Sequence, residues 1–268
     1  MDADGDYVAN VPRLGGNASD VLQHGLEAQL FQFFIDVAGS WLDVTSPELH
    51  FARTVPRLAT ENGVLLYACL AYASKAALPT SSLSEQYANA CIEVLIPLLS
   101  DEVYVSTDET LLATLVILRH VEQYTAGSED KGAHLTGAFA LIASQKTLPA
   151  HSSLPGAALW TYMRQDIRRA LMYRAAPKLT PGRALEITSL DNADGGGSIW
   201  ADRACHLAAM ACHFAWGQQE TTDLDGDELI CSLDAWQASV PSEYLPYHTS
   251  EDSMHFFATW HGTYPRMY

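Results

Sequence analysis

Residues Phe51–Leu78 read FARTVPRLATENGVLLYACLAYASKAAL, and this stretch decides the fold class. Phe51-Ala52-Arg53-Thr54-Val55 leads into Pro56. A proline suits the first turn of a helix, where its missing N–H has no partner to lose. Asn62-Gly63 marks a brief break, and beyond it Leu65, Leu66, Cys69, Leu70 and Ala73 fall on one side of a long apolar run. Ala68, Ala71, Ala73, Ala76 and Ala77 make that run thin. A thin, nearly all-apolar helix is expected to be buried on most sides, with other helices approaching across its alanines. Leu78-Pro79 ends it, because the residue before proline avoids helical angles. Arg57, Glu61, Asn62 and Lys75 interrupt the run, so it is not read as a membrane span, which needs roughly 20 apolar residues. The expectation is the central helix of an all-α domain.

At 268 residues the chain has room for a substantial core, and a mean hydropathy near zero is that of a globular protein. Fifteen basic residues stand against 32 acidic ones, a net charge of −17 that repels a phosphate backbone. The densest basic pair is Arg168-Arg169, so no run of cations could neutralise several phosphates in a row. Cys69, Cys91, Cys205, Cys212 and Cys231 contain no C-x-x-C and are read as reduced, buried thiols of an intracellular protein. The acidic opening MDADGDYVANVPRL has no apolar core and does not read as a signal peptide.

Residues 1–20 are polar and glycine-rich and read as an N-terminal arm, with a single helical domain over 21–268. A helix from Val21 to Val37, capped by Ser19 or Asp20 and closed by Gly39, carries Leu22, Leu26, Leu30, Phe33, Phe34 and Val37 on one stripe. Trp41 in the following connector is expected to pack back. Further helices are expected over Ser84–Leu99, Thr110–Tyr124 (capped by Ser106-Thr107-Asp108-Glu109), Ala133–Ala143, Gly156–Tyr173, Ile199–Gly217 and Asp227–Ala238. Residues 176–198 are loop-like, with a linker at Gly195–Gly197. No strand alternation of useful length occurs, so the fold class is all-α and multi-helix.

Several segments resemble the fungal-specific transcription factor domain, the helical regulatory region downstream of a binuclear zinc-cluster DNA-binding domain. They are VPRLA at Val55–Ala59 with ACLA and ASKA beyond it, and Trp41-Leu42-Asp43 ahead of Phe51. D-E-x-L-L-A-x-x-V-I-L-R-x-x-E at Asp108–Glu122 and H-L-x-G-A at His134–Ala138 continue the likeness. W-x-Y-x-R-Q-D-I at Trp160–Ile167 and W-A-D-R at Trp200–Arg203 complete it. It covers about Glu27 to His261, and Met254–Trp260 is similar to the start of a further helix. The resemblance implies a zinc cluster upstream and more helices downstream. The chain is expected to lack both, and so to be incomplete at its C-terminus, to expose an apolar face and to be poorly soluble, to self-associate or to need a partner.

Few patterns in the chain suggest chemistry. Cys205-His206 and Cys212-His213 recur two helical turns apart, whereas zinc ligands on a helix want a spacing of three or four, so they read as packing. Asp223, Asp225, Asp227 and Glu228 are similar to a calcium loop, but the glycine is misplaced, and a helix-capping loop is the better reading. No nucleophile elbow, P-loop or dinucleotide fingerprint occurs. No catalytic residue, cofactor or metal is therefore expected. Arg119, Glu122, His134, Arg164, Gln165 and Asp166 stand apart as polar residues in apolar helices. They form either an internal hydrogen-bond network or the polar patch of an effector pocket. Arg164 is expected to matter more than Arg183, which lies in a Pro/Gly loop.

The resemblance implies a nuclear regulator of transcription that makes no direct contact with nucleic acid or membrane. Its partners would be other proteins, a missing DNA-binding region, a small-molecule effector or a second copy. The alternative is a helical scaffold recruited as a small-molecule enzyme or binding protein of a biosynthetic pathway. The charge balance makes one prediction: in a mobility-shift titration at low salt this chain gives no saturable complex with duplex DNA. A steeply salt-dependent shift would overturn it.

Overall fold

The stretch Phe51–Leu78 folds as two helices, α3 (His50–Ala59) and α4 (Gly63–Ala77), in a computed structural model of the chain. The structure describes residues 18–43, 48–125, 130–145, 147–150, 152–180, 182–184, 198–217, 225–242, 245–246, 248–249 and 255–256. Most of the expected arm, the run Gly195–Gly197, Asp223 and most of Met254–Trp260 lie outside the described residues. Two compact units emerge: Met1–Leu42 with Leu49–Leu141, and Asp43–Glu48 with Ile142–Tyr268.

In the first unit α4 is the core. Every residue from Val64 to Ser74 is buried, as the alanine-rich sequence leads one to expect. Around it pack α2 (Gly25–Phe33), α3, α5 (Leu83–Leu98) and α7 (Leu111–Thr125). Asn62 caps α4 by accepting from Leu65 N at 3.1 Å, and its Nδ2 donates to Thr110 Oγ1 at 3.0 Å, which ties the starts of α4 and α7 together. Ser84 of α5 donates to Ala71 O at 2.8 Å, and the Cys91 thiol donates to Val64 O at 3.3 Å. Tyr72 meets Phe34 and His120 edge-on at centroid distances of 6.5 and 5.6 Å.

Several local expectations are corrected. Pro56 is not in a first turn: α3 begins at His50, after a left-handed Leu49 (φ 57°), and buries Pro56 in its interior. The helix expected over Val21–Val37 is broken into α1 (Ala18–Val21), α2 and a π-helical turn at Phe34–Ala38. Restarting at Gly25 and widening after Phe33 turn the register, so Glu27, Leu30, Phe31, Phe34 and Ala38 face inward, while Leu22, Leu26, Phe33 and Val37 are only part-buried. Glu27 is tolerated inside because Tyr87 Oη donates to it at 2.9 Å. Gly39 does not close the helix but continues it into a tight turn, Gly39–Trp41. A β-carbon there would stand 2.8 Å from Phe51 O, so the glycine serves close approach. That turn points Leu42 inward and leaves Trp41 42% exposed, against the expectation that Trp41 packs back. Ser106 and Thr107 belong to a short extra helix, α6 (Glu102–Thr107). Asp108 turns the chain into α7 by accepting from Thr110 N and Oγ1 at 2.7 Å.

The second unit is built on α9 (Leu154–Tyr173), capped by Ser153, with Pro155 in its first turn. α8 (Ala133–Ser144) runs across the boundary between the units, with Ala133–Leu141 in the first. α10 (Ser198–Trp216) packs on α9, and α11 (Gly226–Ala238) packs on α10. α11 buries no residue fully. It is held by Trp200 and Trp236, whose rings stack at 4.4 Å and 13°. Each indole N–H donates to the other residue's carbonyl, at 3.0 and 2.8 Å. The described residues are helical apart from loops and one antiparallel ladder pairing His248 with Phe256 and Thr249 with His255. His255-Phe256 therefore satisfies its backbone through that ladder and not in the helix expected from Met254. The fold class is all-α.

The thinness of α4 is testable. Ala71→Leu should lower stability by ~1–3 kcal/mol by overpacking the α4–α5 contact. The exposed Ala77→Leu should change it by less than about 0.5 kcal/mol. Equal urea midpoints for the two variants would refute the packing argument.

Candidate functional site

The singled-out polar residues form two clusters, one in each unit. In the first, Arg119 projects from α7 with no exposed surface at all. A buried guanidinium demands anionic partners, and it has two. Its Nη1 and Nη2 donate to the two carboxylate oxygens of Asp130 in a fork, and Nη1 also donates to Glu122 Oε2 at 2.9 Å. Asp130 is fixed in turn by Gly132 N at 3.0 Å, in a turn where Gly132 takes φ 62°. Glu122 caps the start of α8: Oε1 accepts from Ala133 N at 2.7 Å and Oε2 from His134 N at 3.3 Å. His134 Nδ1 stands 3.4 Å from that same Oε2. Arg119, Glu122 and His134 are thus brought together, with Asp130 as the fourth member. Glu122 sits one turn from Arg119 on α7, as the spacing allows.

These contacts set the electrostatics. Burial opposes ionisation of Glu122, but His134, the Ala133 N–H and Arg119 outweigh it and hold the carboxyl at about 2. The hydrogen bond from Arg119 holds Asp130 below the usual carboxylate range. Burial works against the charge on Arg119, and the two carboxylates more than offset it.

The second cluster lies along α9 and α10. Asp166 is buried, and its Oδ2 accepts from Leu179 N at 3.0 Å. Leu179 O is 2.7 Å from His213 Nε2, and since a carbonyl only accepts, the imidazole carries its proton on Nε2. The segment around Leu179 is thus clamped by α9 through its N–H and by α10 through its C=O. Burial raises the Asp166 carboxyl, with the backbone N–H groups of Leu179 and Lys178 working against that rise. Gln165 is buried beside it. Arg164 is only part-buried, with Nη2 donating to Thr161 Oγ1 at 3.1 Å. Arg183 is not loose, since its Nη2 donates to Gln145 O at 3.2 Å, so the contrast expected between these arginines narrows. Tyr162 Oη is buried and finds no hydrogen-bond partner among the described residues, and the same holds for His206 Nδ1.

Among the described residues no three His, Cys, Asp or Glu side chains gather as metal ligands would. Burial pushes the Cys205 thiol up to about 12, and His213 is engaged with Leu179 O. Cys69, Cys91 and Cys212 are buried free thiols as expected, whereas Cys205 is part-buried and Cys231 is exposed. Asp225 caps α11 by accepting from Asp227 N at 3.0 Å, the helix-capping role expected of that acidic loop.

Residues 29–268 match the family model of the fungal specific transcription factor domain. The chain belongs to that family. Neither the curated proteins nor the solved structures yielded a significant match. Membership places this fungal transcription factor domain among regulators of transcription, a non-enzymatic class. Among its described residues no helix is long and apolar enough to cross a membrane.

The sequence pattern singles out Arg119, Glu122 and His134 but assigns Asp130 no role. The signal for it is the Asp-x-Gly of Asp130–Gly132, an Asx turn beside a helix start. Nothing in the sequence points to Leu179 as the bridge between Asp166 and His213.

Arg119→Ala should destabilise the domain by ~3–5 kcal/mol, because it strands Asp130 and Glu122 without their cation. Denaturation within about 1 kcal/mol of wild type would contradict the cluster's role. The pH dependence has a definite sign. The stabilisation from Glu122 is complete above its unperturbed 4.5 and is lost as pH falls towards about 2. The raised carboxyl of Asp166 acts in the opposite sense, favouring the fold as it takes up its proton. Glu122→Gln should therefore flatten the melting-temperature profile between those two pH values, and an unchanged profile would refute the assignment.

Proposed function

We propose that this chain is the regulatory part of a fungal transcription factor and acts in the nucleus through contacts with other proteins or with a DNA-binding region. It grips no nucleic acid itself and catalyses no reaction. The match to the family over residues 29–268 carries this reading. A net charge of −17 supports the absence of direct DNA contact. The engagement of Arg119 with Asp130 and Glu122 supports a scaffold role for the first cluster. In this reading a small-molecule effector would hydrogen-bond to buried polar atoms of α9 and α10, among which Tyr162 Oη and His206 Nδ1 have no partner among the described residues.

The test is to tether the chain to an unrelated DNA-binding domain at a fungal reporter gene. Reporter output should move by about threefold or more, up or down, relative to the DNA-binding domain alone. Output indistinguishable from that control, at matched protein levels and with the fusion in the nucleus, would sink the regulatory reading.

A further inference from the structure

α6 lies in the first unit and buries no residue, and its Val103 is 69% exposed. Its six residues fall well short of the roughly 12–15 that sustain a helix unaided. With nothing buried, it opens at low free energy. Local hydrogen bonds hold it wound. At its start the Asp101 carboxylate accepts from Val103 N at 2.9 Å and from Tyr104 N at 3.2 Å. At its end Ser106 Oγ and Thr107 Oγ1 both donate to Val103 O, at 3.0 and 2.7 Å. Asp108 N donates to Tyr104 O at 2.9 Å, and the Tyr104 hydroxyl meets the Asp108 carboxylate.

Ser106 is exposed, and Thr107, Asp108 and Glu109 follow it. In the whole chain Ser106 and Thr249 are the hydroxyl residues with an acid at both the second and the third place beyond them. Thr249 is paired with His255 in the antiparallel ladder, whereas Ser106 stands on a helix that opens easily. No lysine or arginine occurs between Lys75 and Arg119. Arg119 is itself engaged with Asp130 and Glu122. Kinases choose substrates by the charges that flank the hydroxyl, and they take the segment in extended form. An exposed serine on a readily extended segment, with acids just downstream and no base beside it in sequence, suits a basic substrate groove.

We propose that Ser106 is a phosphorylation site for an acid-directed serine/threonine kinase using ATP, and that the phosphate unwinds α6. The Ser106 Oγ attacks the γ-phosphorus of ATP, the bond from that phosphorus to its β-bridging oxygen breaks, and ADP leaves. The hydroxyl proton passes to the base of the kinase. The phosphoserine then carries about −1.5 to −2 charges at neutral pH. It stands in the last turn of a helix, among carbonyls with partial negative charge, and close in sequence to Asp108 and Glu109. Its ester oxygen can no longer donate to Val103 O. Repulsion and the lost bond act in the same direction, against a helix that little else holds. Asp108 keeps its bonds to Thr110, so the loosening stops short of α7.

The experiment incubates the purified whole chain with the catalytic subunit of casein kinase II, an acid-directed enzyme, with magnesium and ATP. Tandem mass spectrometry then locates the phosphate, which should sit on Ser106. Ser106→Ala should cut incorporation at least about tenfold, and Glu109→Gln, which leaves Asp108 in place, at least about fivefold. Far-UV circular dichroism checks that both variants fold. Site mapping on the wild type needs no variant, so a misfolded one leaves the proposal open to refutation. Hydrogen exchange is then compared between the phosphorylated and unmodified chain. The amides of Tyr104 to Asp108 should exchange at least about tenfold faster after phosphorylation, with those of α4 unchanged. A chain that takes up no phosphate, or takes it on Thr249 or elsewhere with Ser106 unmodified, would overturn the site. So would folded Ser106→Ala or Glu109→Gln protein labelled as well as wild type. Unaltered exchange across α6 in the phosphorylated chain would overturn the unwinding.

Discussion

A helix buried along its length must be thin, and must still find partners for whatever polar groups it carries inside. α4 meets the first demand with alanines at 68, 71 and 73, all without exposed surface. It meets the second by lending its own carbonyls: Ala71 O receives both Ser74 and Ser84, and Val64 O receives Cys91. A helix carbonyl can accept a side-chain donor beside its backbone N–H, and at Ala71 O two hydroxyls share the oxygen with it. These bonds fix the rotation of α5 about α4, which dispersion contacts between smooth alanine faces would leave loosely specified. The π-helical turn at Phe34–Ala38 and the glycine beneath Phe51 then read as adjustments that let α2 and α3 reach the same surface.

A buried and a part-buried carboxylate serve a common purpose in the two units. Glu122 closes the start of α8 by accepting its first N–H groups, and Asp166 holds the Leu179 segment by accepting one. Their electrostatic settings differ. Glu122 has a guanidinium at 2.9 Å and stays ionised into strong acid, whereas burial leads at Asp166 and favours its neutral form. The first arrangement sets two carboxylates on one guanidinium, and the second is a single acid whose protonation bears on how a loop is held.

Much of this architecture is legible in the residues. The heavy apolar periodicity of Leu111–Val121 fixes α7, whereas α9 starts two residues ahead of the expected Gly156, at Leu154 behind the Ser153 cap. The burial of α4 follows from composition alone. Register is harder to read where a polar residue is carried inside by a distant partner. Glu27 faces inward only because Tyr87, from another helix, donates to it, and no local pattern announces that. Trp41 is the converse, a large apolar side chain left outside because a tight turn chose Leu42 instead. The candidate polar residues are visible because charged groups in apolar helices are conspicuous. Their partners Asp130 and Leu179 are not, because they come from loops, where burial is decided by tertiary contact and not by period.

The joint between α10 and α11 has a consequence of its own. α11 buries nothing fully, so its attachment rests on two stacked indoles and the pair of hydrogen bonds that lock them. A segment with so little buried area opens at a lower free energy than the core. Because the bonds are reciprocal, neither can be given up singly without tilting both rings, so detachment is expected to be a two-position event and not a gradual fraying. Indoles at 4.4 Å couple their electronic transitions. The swing of α11 is thus written into the near-ultraviolet spectrum of the protein as an optical latch, readable without any added label.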